Sequence, residues 1–290
     1  MNAIETVDLS KTYENGVDAL KDLDVVVGRG EIFGFLGPNG AGKTTTVRLL
    51  NGTLNPSGGT FKLLGKERQD NDIRFYTATL GEQAHMYENL SAYENLRFFA
   101  RMYEVDATEA DSRIGSLLER MELWDRRHDK LGTFSTGMKK RVQLIRTMLH
   151  RPEIVFLDEP TAGLDPDAAG QVTNLIRKLA REQETTVFLC THNLPLAERI
   201  CDSFGFLSDG VMVKSGRKQE LIESVMDTLR VKITTTKETY EYEIEDESEI
   251  NGYLTEHMNK GEYITGVEIP KPSLEEVYFS YIGRSDNELG

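Results

Sequence analysis

Residues 32 to 44, Ile32-Phe33-Gly34-Phe35-Leu36-Gly37-Pro38-Asn39-Gly40-Ala41-Gly42-Lys43-Thr44, decide the fold. An apolar strand runs straight into G-x-x-x-x-G-K-T, and a helix is expected from about Lys43-Thr44 through Val47, Leu49 and Leu50. That order is what a phosphate-binding loop requires. The glycines let backbone N–H groups approach phosphate oxygens without a side chain in the way. The helix start adds unpaired N–H groups and the positive end of its dipole. Lys43 is then placed to bridge the β and γ phosphates of a nucleotide, and Thr44 to bind Mg²⁺.

Working outward, Ile154-Val155-Phe156-Leu157-Asp158-Glu159 is an apolar strand ending in two carboxylates, at the sheet edge where the loop also lies. Asp158 suits Mg²⁺, directly or through water. Glu159, pointing to the opposite side, suits a general base that polarises an attacking water. Thr186-Val187-Phe188-Leu189-Cys190 reads as a second buried strand, with His192 just beyond its end. A helix with Val172, Leu175, Ile176 and Leu179 on one face separates the two strands, so the sheet is expected to be mostly parallel. Phe204 to Val213, turning at Asp209-Gly210, reads as a closing hairpin. Residues 4 to 36 read as short strands of an N-terminal antiparallel part.

Between about 85 and 150 the pattern becomes helical. Ser91-Ala92-Tyr93-Glu94 is a capping box, followed by Leu96, Phe99, Ala100 and Tyr103 at helical spacing. Ile114, Leu117, Leu118 and Met121 mark a second helix. A third begins near Ser135 with Val142, Ile145 and Leu149 on one face. All three stripes read as core packing. The fold class is therefore α/β: a phosphate-loop core over residues 1–220 with a helical insertion at about 85–150. From about Asp227 the texture changes. Leu229, Val231 and Ile233, then Tyr240, Tyr242 and Ile244, alternate with polar residues as a hairpin with one wet face. A helix near 247–259, a strand at Tyr263 to Ile269 and a last helix capped by Ser273 with Glu276 complete a small α+β domain over 227–290.

Phe134-Ser135-Thr136-Gly137-Met138, between the loop and the Asp158 strand, opens a helix with a hydroxyl and a glycine. It offers a second phosphate clamp with no base of its own, and suggests that each nucleotide is held by two copies of the chain. GPNGAGKT, FSTGM, LDEP, Gly163-Leu164-Asp165-Pro166 and Thr191-His192 follow in this order. Over roughly residues 3 to 218 the chain thus resembles the ATP-binding subunits of ABC transporters. The resemblance implies that FSTGM is the signature loop, usually LSGGQ, which meets the γ-phosphate of ATP bound to the opposite subunit. Ser135 and Gly137 match that pattern, whereas Thr136 and Met138 depart from it.

Further roles follow from the resemblance alone. Tyr13 stands where an aromatic stacks on adenine, with core packing as its other reading. His192 resembles the switch histidine that contacts the γ-phosphate. Thr45 and Asp165 join the nucleotide contacts. The Q-loop position, which reaches Mg²⁺ and the attacking water, falls on Glu82 or on Gln83 beside it. The run through Lys139-Lys140-Arg141 looks like the version found in exporters with separate membrane and ATPase chains. Pro272 to Tyr278 is similar to the C-terminal segment of the same exporters. That basic trio reads as a solvated helix face, with nucleic-acid binding as the other reading.

Composition bounds the rest. The formal net charge of −14 disfavours broad contact with a phosphate backbone, so no direct nucleic-acid binding is expected. Cys190 and Cys201, the only two cysteines, lack metal or disulfide spacing and read as structural. Neither a signal peptide nor a membrane span is visible. The expectation is an ATP- and Mg²⁺-dependent ATPase that pairs with a second copy or a related subunit. It would act from the cytoplasmic face of the membrane through a separate membrane-spanning partner, for export. The alternative is a soluble ABC-type ATPase that remodels nucleic acid or ribosomes.

Overall fold

The computed structural model describes residues 2–67, 73–81, 85–225 and 229–288. Two long strands, β1 (Asn2–Thr12) and β2 (Asp18–Gly28), precede the buried strand β3 (Ile32–Leu36) and helix α1 (Lys43–Leu50). β4 (Gly58–Leu63) and β5 (Lys66–Glu67) complete an antiparallel sheet in the order β2-β1-β4-β5. The expectation of short strands over residues 4–36 is corrected here, because β1 and β2 are eleven residues each. Their pairing slips at Thr6/Leu9 and again at Leu9/Lys11. Such bulges break the two-residue alternation that marks one continuous strand.

A single helical turn, α2 (Ile73–Tyr76), leads into β6 (Thr77–Leu80). The insertion follows as α3 (Ala92–Met102), α4 (Ala107–Arg120) and α5 (Thr136–Met148). The Ser91–Glu94 capping box is present: Ser91 Oγ accepts from Glu94 N at 3.2 Å while Glu94 Oε2 accepts from Ser91 N at 2.8 Å. Ser135 caps α5 by accepting from Met138 N.

The chain then alternates strand and helix through β7 (Ile154–Asp158), α6 (Pro166–Gln183), β8 (Thr186–Thr191) and α7 (Leu194–Ile200), before β9 (Ser203–Ser208) and β10 (Val211–Arg217). The central sheet has the order β10-β9-β3-β8-β7-β6, and β9, β3, β8, β7 and β6 run parallel. Every residue of β3, β7 and β8 is buried, as parallel strands covered on both faces must be. Phe188 stands at the centre, with Phe33, Phe35 and Phe156 rings 5.0 to 5.9 Å away. One core cluster joins these rings to β1, β2, β4 and α1, and another joins the sheet to α3, α4, α5 and α6. The fold is thus the α/β phosphate-loop architecture, with an antiparallel N-terminal part and a helical insertion.

By contact the chain divides at Gly216/Arg217. The second unit holds α8 (Lys218–Glu223), β11 (Leu229–Thr235), β12 (Thr239–Ile244), α9 (Ile250–Asn259), β13 (Ile264–Glu268) and α10 (Leu274–Glu288). Its antiparallel sheet, β12-β11-β13, buries Val231, Ile233 and Ile244 beneath Ile250, Tyr253 and Leu254. The opposite face pairs Arg230 with Glu243 and Lys232 with Glu241 across the strands. His257 is buried, with Nδ1 2.7 Å from Glu262 Oε2 and Nε2 2.8 Å from the Tyr242 hydroxyl.

Candidate nucleotide and metal site

The loop of residues 37 to 42 joins the buried end of β3 to α1, and its geometry depends on Gly42. This residue caps α1 with φ 111°, and a Cβ there would lie 2.4 Å from the carbonyl oxygen of Ala19 in β2. Only glycine fits both the conformation and the contact. Gly37, Ala41 and Gly42 are buried, whereas Pro38, Asn39 and Gly40 are exposed. Lys43 folds back along the loop and is 6% exposed; its Nζ donates to Gly37 O at 2.7 Å and to Pro38 O at 2.9 Å. Two residues further along α1, half-buried Thr45 meets Tyr13, with 3.2 Å between the hydroxyls. Tyr13 thereby lies beside the loop's helix, and Lys11 Nζ stands 5.7 Å from its ring centroid.

Strand β7 delivers the two carboxylates to different partners. Buried Asp158 accepts from Thr44 Oγ1 at 2.8 Å, which ties the strand end to α1. Glu159 leaves the strand with φ 47°, a left-handed conformation that a non-glycine residue adopts at a cost of about 1–3 kcal/mol. The turn carries its side chain to the end of neighbouring β8. There Oε2 accepts from Thr191 Oγ1 at 3.0 Å, and Oε1 accepts from His192 N at 3.0 Å. His192 Nδ1 also lies 2.7 Å from Oε1. The His192 side chain remains 57% exposed, while that of Glu159 is 14% exposed. Buried Cys190 of β8 stands in register with Asp158, and burial pushes its thiol well above the usual range. It is a packing residue here.

The FSTGM segment sits at the start of α5. Ser135 and Thr136 are exposed, and Phe134 is buried. A Cβ on Gly137 would lie 3.0 Å from Ala168 Cβ in α6, so the two helix starts approach closely. Asp165 caps α6 by accepting from Ala168 N at 2.9 Å. The Arg126 guanidinium covers the Phe134 ring at 5.0 Å and donates to Met138 Sδ at 3.4 Å. Two side chains of the segment are therefore packed from one neighbour. The reading of Lys139-Lys140-Arg141 as a solvated face is corrected: Lys140 is buried, Lys139 pairs with Glu88 at 2.6 Å, and Arg141 donates to Met121 O at 2.7 Å. Glu82 and Gln83 lie outside the described residues.

An exposed hydroxyl and a buried carboxylate, Thr44 and Asp158, offer hard oxygen ligands of the kind Mg²⁺ takes. Among the described residues no group of three or more His, Cys, Asp or Glu side chains converges to hold an ion by itself. One or two protein oxygens completed by phosphate oxygens and water is the arrangement this donor set fits. Thr191 received no role from sequence; its place directly before His192 was the signal for one.

Comparison with known proteins finds ATP-binding proteins of ABC transporters. A family model described as "ABC transporter" matches residues 20–162. An uncharacterized ABC transporter ATP-binding protein of Synechocystis sp. is 38% identical over 229 residues, 76% of this chain and 64% of that protein. The daunorubicin/doxorubicin resistance ATP-binding protein DrrA of Streptomyces peucetius is 36% identical over 234 residues, 80% of this chain and 70% of that one. A solved structure of an ATP-binding subunit of an ABC transporter superposes with a TM-score of 0.69 at 32% identity, covering 77% of this chain and 92% of its own.

Proposed function

Since the chain belongs to the ATP-binding protein family of ABC transporters, we propose that it is an ATP-hydrolysing subunit that closes as a dimer around two ATP molecules and drives a separate membrane-spanning exporter. The observation that carries this reading is the convergence at one sheet edge of Lys43, Thr44, Asp158, Glu159 and His192. The exposed Ser135 stands at a different helix start. The first set makes a cis half of an ATP site, and Ser135 with the Gly137 backbone makes a trans half.

In this reading the loop's backbone N–H groups, of which Pro38 has none, and Lys43 hold the β and γ phosphates, and Tyr13 lies against the adenine. Mg²⁺ held at Thr44 and Asp158 would offset charge on the phosphate oxygens. Glu159 takes the proton of the attacking water, and His192 turns from Glu159 toward the γ-phosphate. Because Ser135 reaches phosphate only in the closed pair, cleavage of the γ-phosphate removes the differential affinity that holds the pair together.

Docking of the membrane partner near residues 82–103 is supported by exposed Tyr87, Phe98 and Met102, with the Tyr87 and Phe98 rings 5.1 Å apart. No helix among the described residues is long and apolar enough to cross a membrane. From the family, we place the transport pathway in a separate partner and this chain at the cytoplasmic face. Export is supported by the FSTGMKKR run and by the resistance role in the name of the Streptomyces relative. Glu159→Gln is the test: ATP binding stays within a few-fold of wild type, and hydrolysis slows by roughly two orders of magnitude or more. Hydrolysis at the wild-type rate would refute Glu159 as the base.

A further inference from the structure

Thr191 ends β8 with no exposed surface, yet it carries a hydroxyl whose two hydrogen bonds link the candidate base to the rest of the fold. Its Oγ1 donates to Glu159 Oε2 at 3.0 Å and accepts from Asn193 N at 3.0 Å. Asn193 is itself fixed as the cap of α7, accepting from Leu196 N at 3.0 Å. Because the Asn193 amide uses a lone pair of the hydroxyl, the hydroxyl proton is directed at the carboxylate. A β-branched residue in a strand also has few rotamers, so this geometry is held at little entropic cost.

Two further contacts to the Glu159 carboxylate come from His192, one from the backbone N–H and one involving the ring. The ring is more than half exposed and can rotate away, whereas Thr191 cannot. Once the ring turns to a phosphate, the carboxylate's remaining hydrogen bonds among the described residues come from the end of β8, the Thr191 hydroxyl on one oxygen and the His192 amide on the other. Glu159 has left regular strand geometry at φ 47°, while its backbone N–H donates to Cys190 O at 3.0 Å and its carbonyl accepts from Ala162 N at 3.2 Å.

We propose that Thr191 is a positioning residue for ATP hydrolysis, holding the Glu159 carboxylate through its hydroxyl while the His192 ring engages the γ-phosphate. The proposal rests on the reading of Glu159 as the base. A buried hydrogen bond to a charged group is worth enough to slow turnover about 10- to 100-fold when it is lost.

The test is ATP turnover by the full chain at varied ATP, with Thr191→Val, Thr191→Ser, Glu159→Gln and the Val/Gln double variant. Thr191→Val keeps the shape and removes the hydroxyl; it is expected to lower kcat about tenfold or more while KM for ATP stays within about twofold. Thr191→Ser keeps the hydroxyl and is expected to return kcat to within about threefold of wild type. In the Glu159→Gln background, measured under single turnover, Thr191→Val is expected to add nothing. Three results overturn the proposal: wild-type kcat for Thr191→Val beside an impaired Glu159→Gln; a Ser variant as slow as the Val variant; or an equal loss in both backgrounds. If Glu159→Gln itself turns over like wild type, it is the base assignment that fails. Should Thr191→Val not bind ATP, Thr191→Ala replaces it with the same expectations.

Discussion

Replacing Gly42 by alanine puts the geometry of the phosphate loop to a quantitative test. The residue has φ 111°, beyond even the left-handed helical region open to other residues, and that conformation costs alanine about 1–3 kcal/mol. The new Cβ would lie 2.4 Å from Ala19 O, where 3.4 Å is ordinary contact, a shortfall of about 1 Å. Ala19 O is backbone and the new Cβ is fixed directly to the backbone of residue 42, so neither can swing aside, and relief through a shift of the loop costs roughly another 1–3 kcal/mol. The sum, about 2–6 kcal/mol, is a large part of a typical domain stability of about 5–15 kcal/mol, so the protein folds but melts roughly 5–20 °C lower. A loop displaced by about 1 Å no longer aims its amides at phosphate oxygens, and affinity for Mg-ATP is expected to fall about 100-fold or more. Gly40→Ala is the control, since φ 86° imposes the backbone cost but no atom lies within 4 Å of its Cβ. Calorimetric titration with Mg-ATP and thermal melting of both variants read the difference. If Gly42→Ala binds ATP like wild type, or melts no lower than Gly40→Ala, the packing of the loop on β2 is not what shapes it.

Two further outcomes follow from capping and charge. Ser91→Ala removes the hydroxyl that accepts from Glu94 N, and is expected to cost about 1 kcal/mol, a melting decrease of about 2–4 °C by calorimetry. In the second unit the His257 hydrogen bond holds Glu262 below the usual carboxylate range, and the Ser273 amide does the same for Glu276. A depressed folded-state value means stability that is fully present above the ordinary carboxylate range and is lost as pH falls into and below it. Acid titration followed by tyrosine near-ultraviolet dichroism should show this unit loosening below about pH 4.5, with the loss blunted in Glu262→Gln. A signal that stays level, or strengthens, between about pH 5 and 3 would contradict that sign.

The sheet centre was legible because strands buried on both faces are written as unbroken apolar runs, and Ile32–Leu36, Ile154–Leu157 and Thr186–Cys190 are such runs. β6 was not, since Thr77-Ala78-Thr79-Leu80 is a four-residue edge strand, half of it threonine, paired only with β7. The two long N-terminal strands hid behind bulges for a related reason: Asp8 and Asp22 take positive φ and shift which side chains face inward. At the candidate site the residue types were readable in order, but not who meets whom. That Glu159 lies against Thr191 and His192 depends on β7 and β8 being neighbours, with Asp158 opposite Cys190. No local pattern encodes that adjacency. Lys140 misled through its charge, because a long aliphatic stem can be buried while a local spacing rule counts only the charged end.

An ATP site shared between two copies of the chain would show in the mass of the protein in solution. Glu159→Gln, expected to leave bound ATP uncleaved, is run on size exclusion with light scattering under saturating Mg-ATP, with and without the added change Ser135→Arg. A site shared between two copies predicts a doubled mass for Glu159→Gln with ATP and not with ADP. It also predicts a monomer that still binds ATP once Ser135→Arg is added, because an arginine at the exposed cap of α5 would block the proposed trans phosphate contact. A Glu159→Gln protein that stays monomeric with ATP bound, or a Ser135→Arg variant that dimerises as well as its parent, would contradict it.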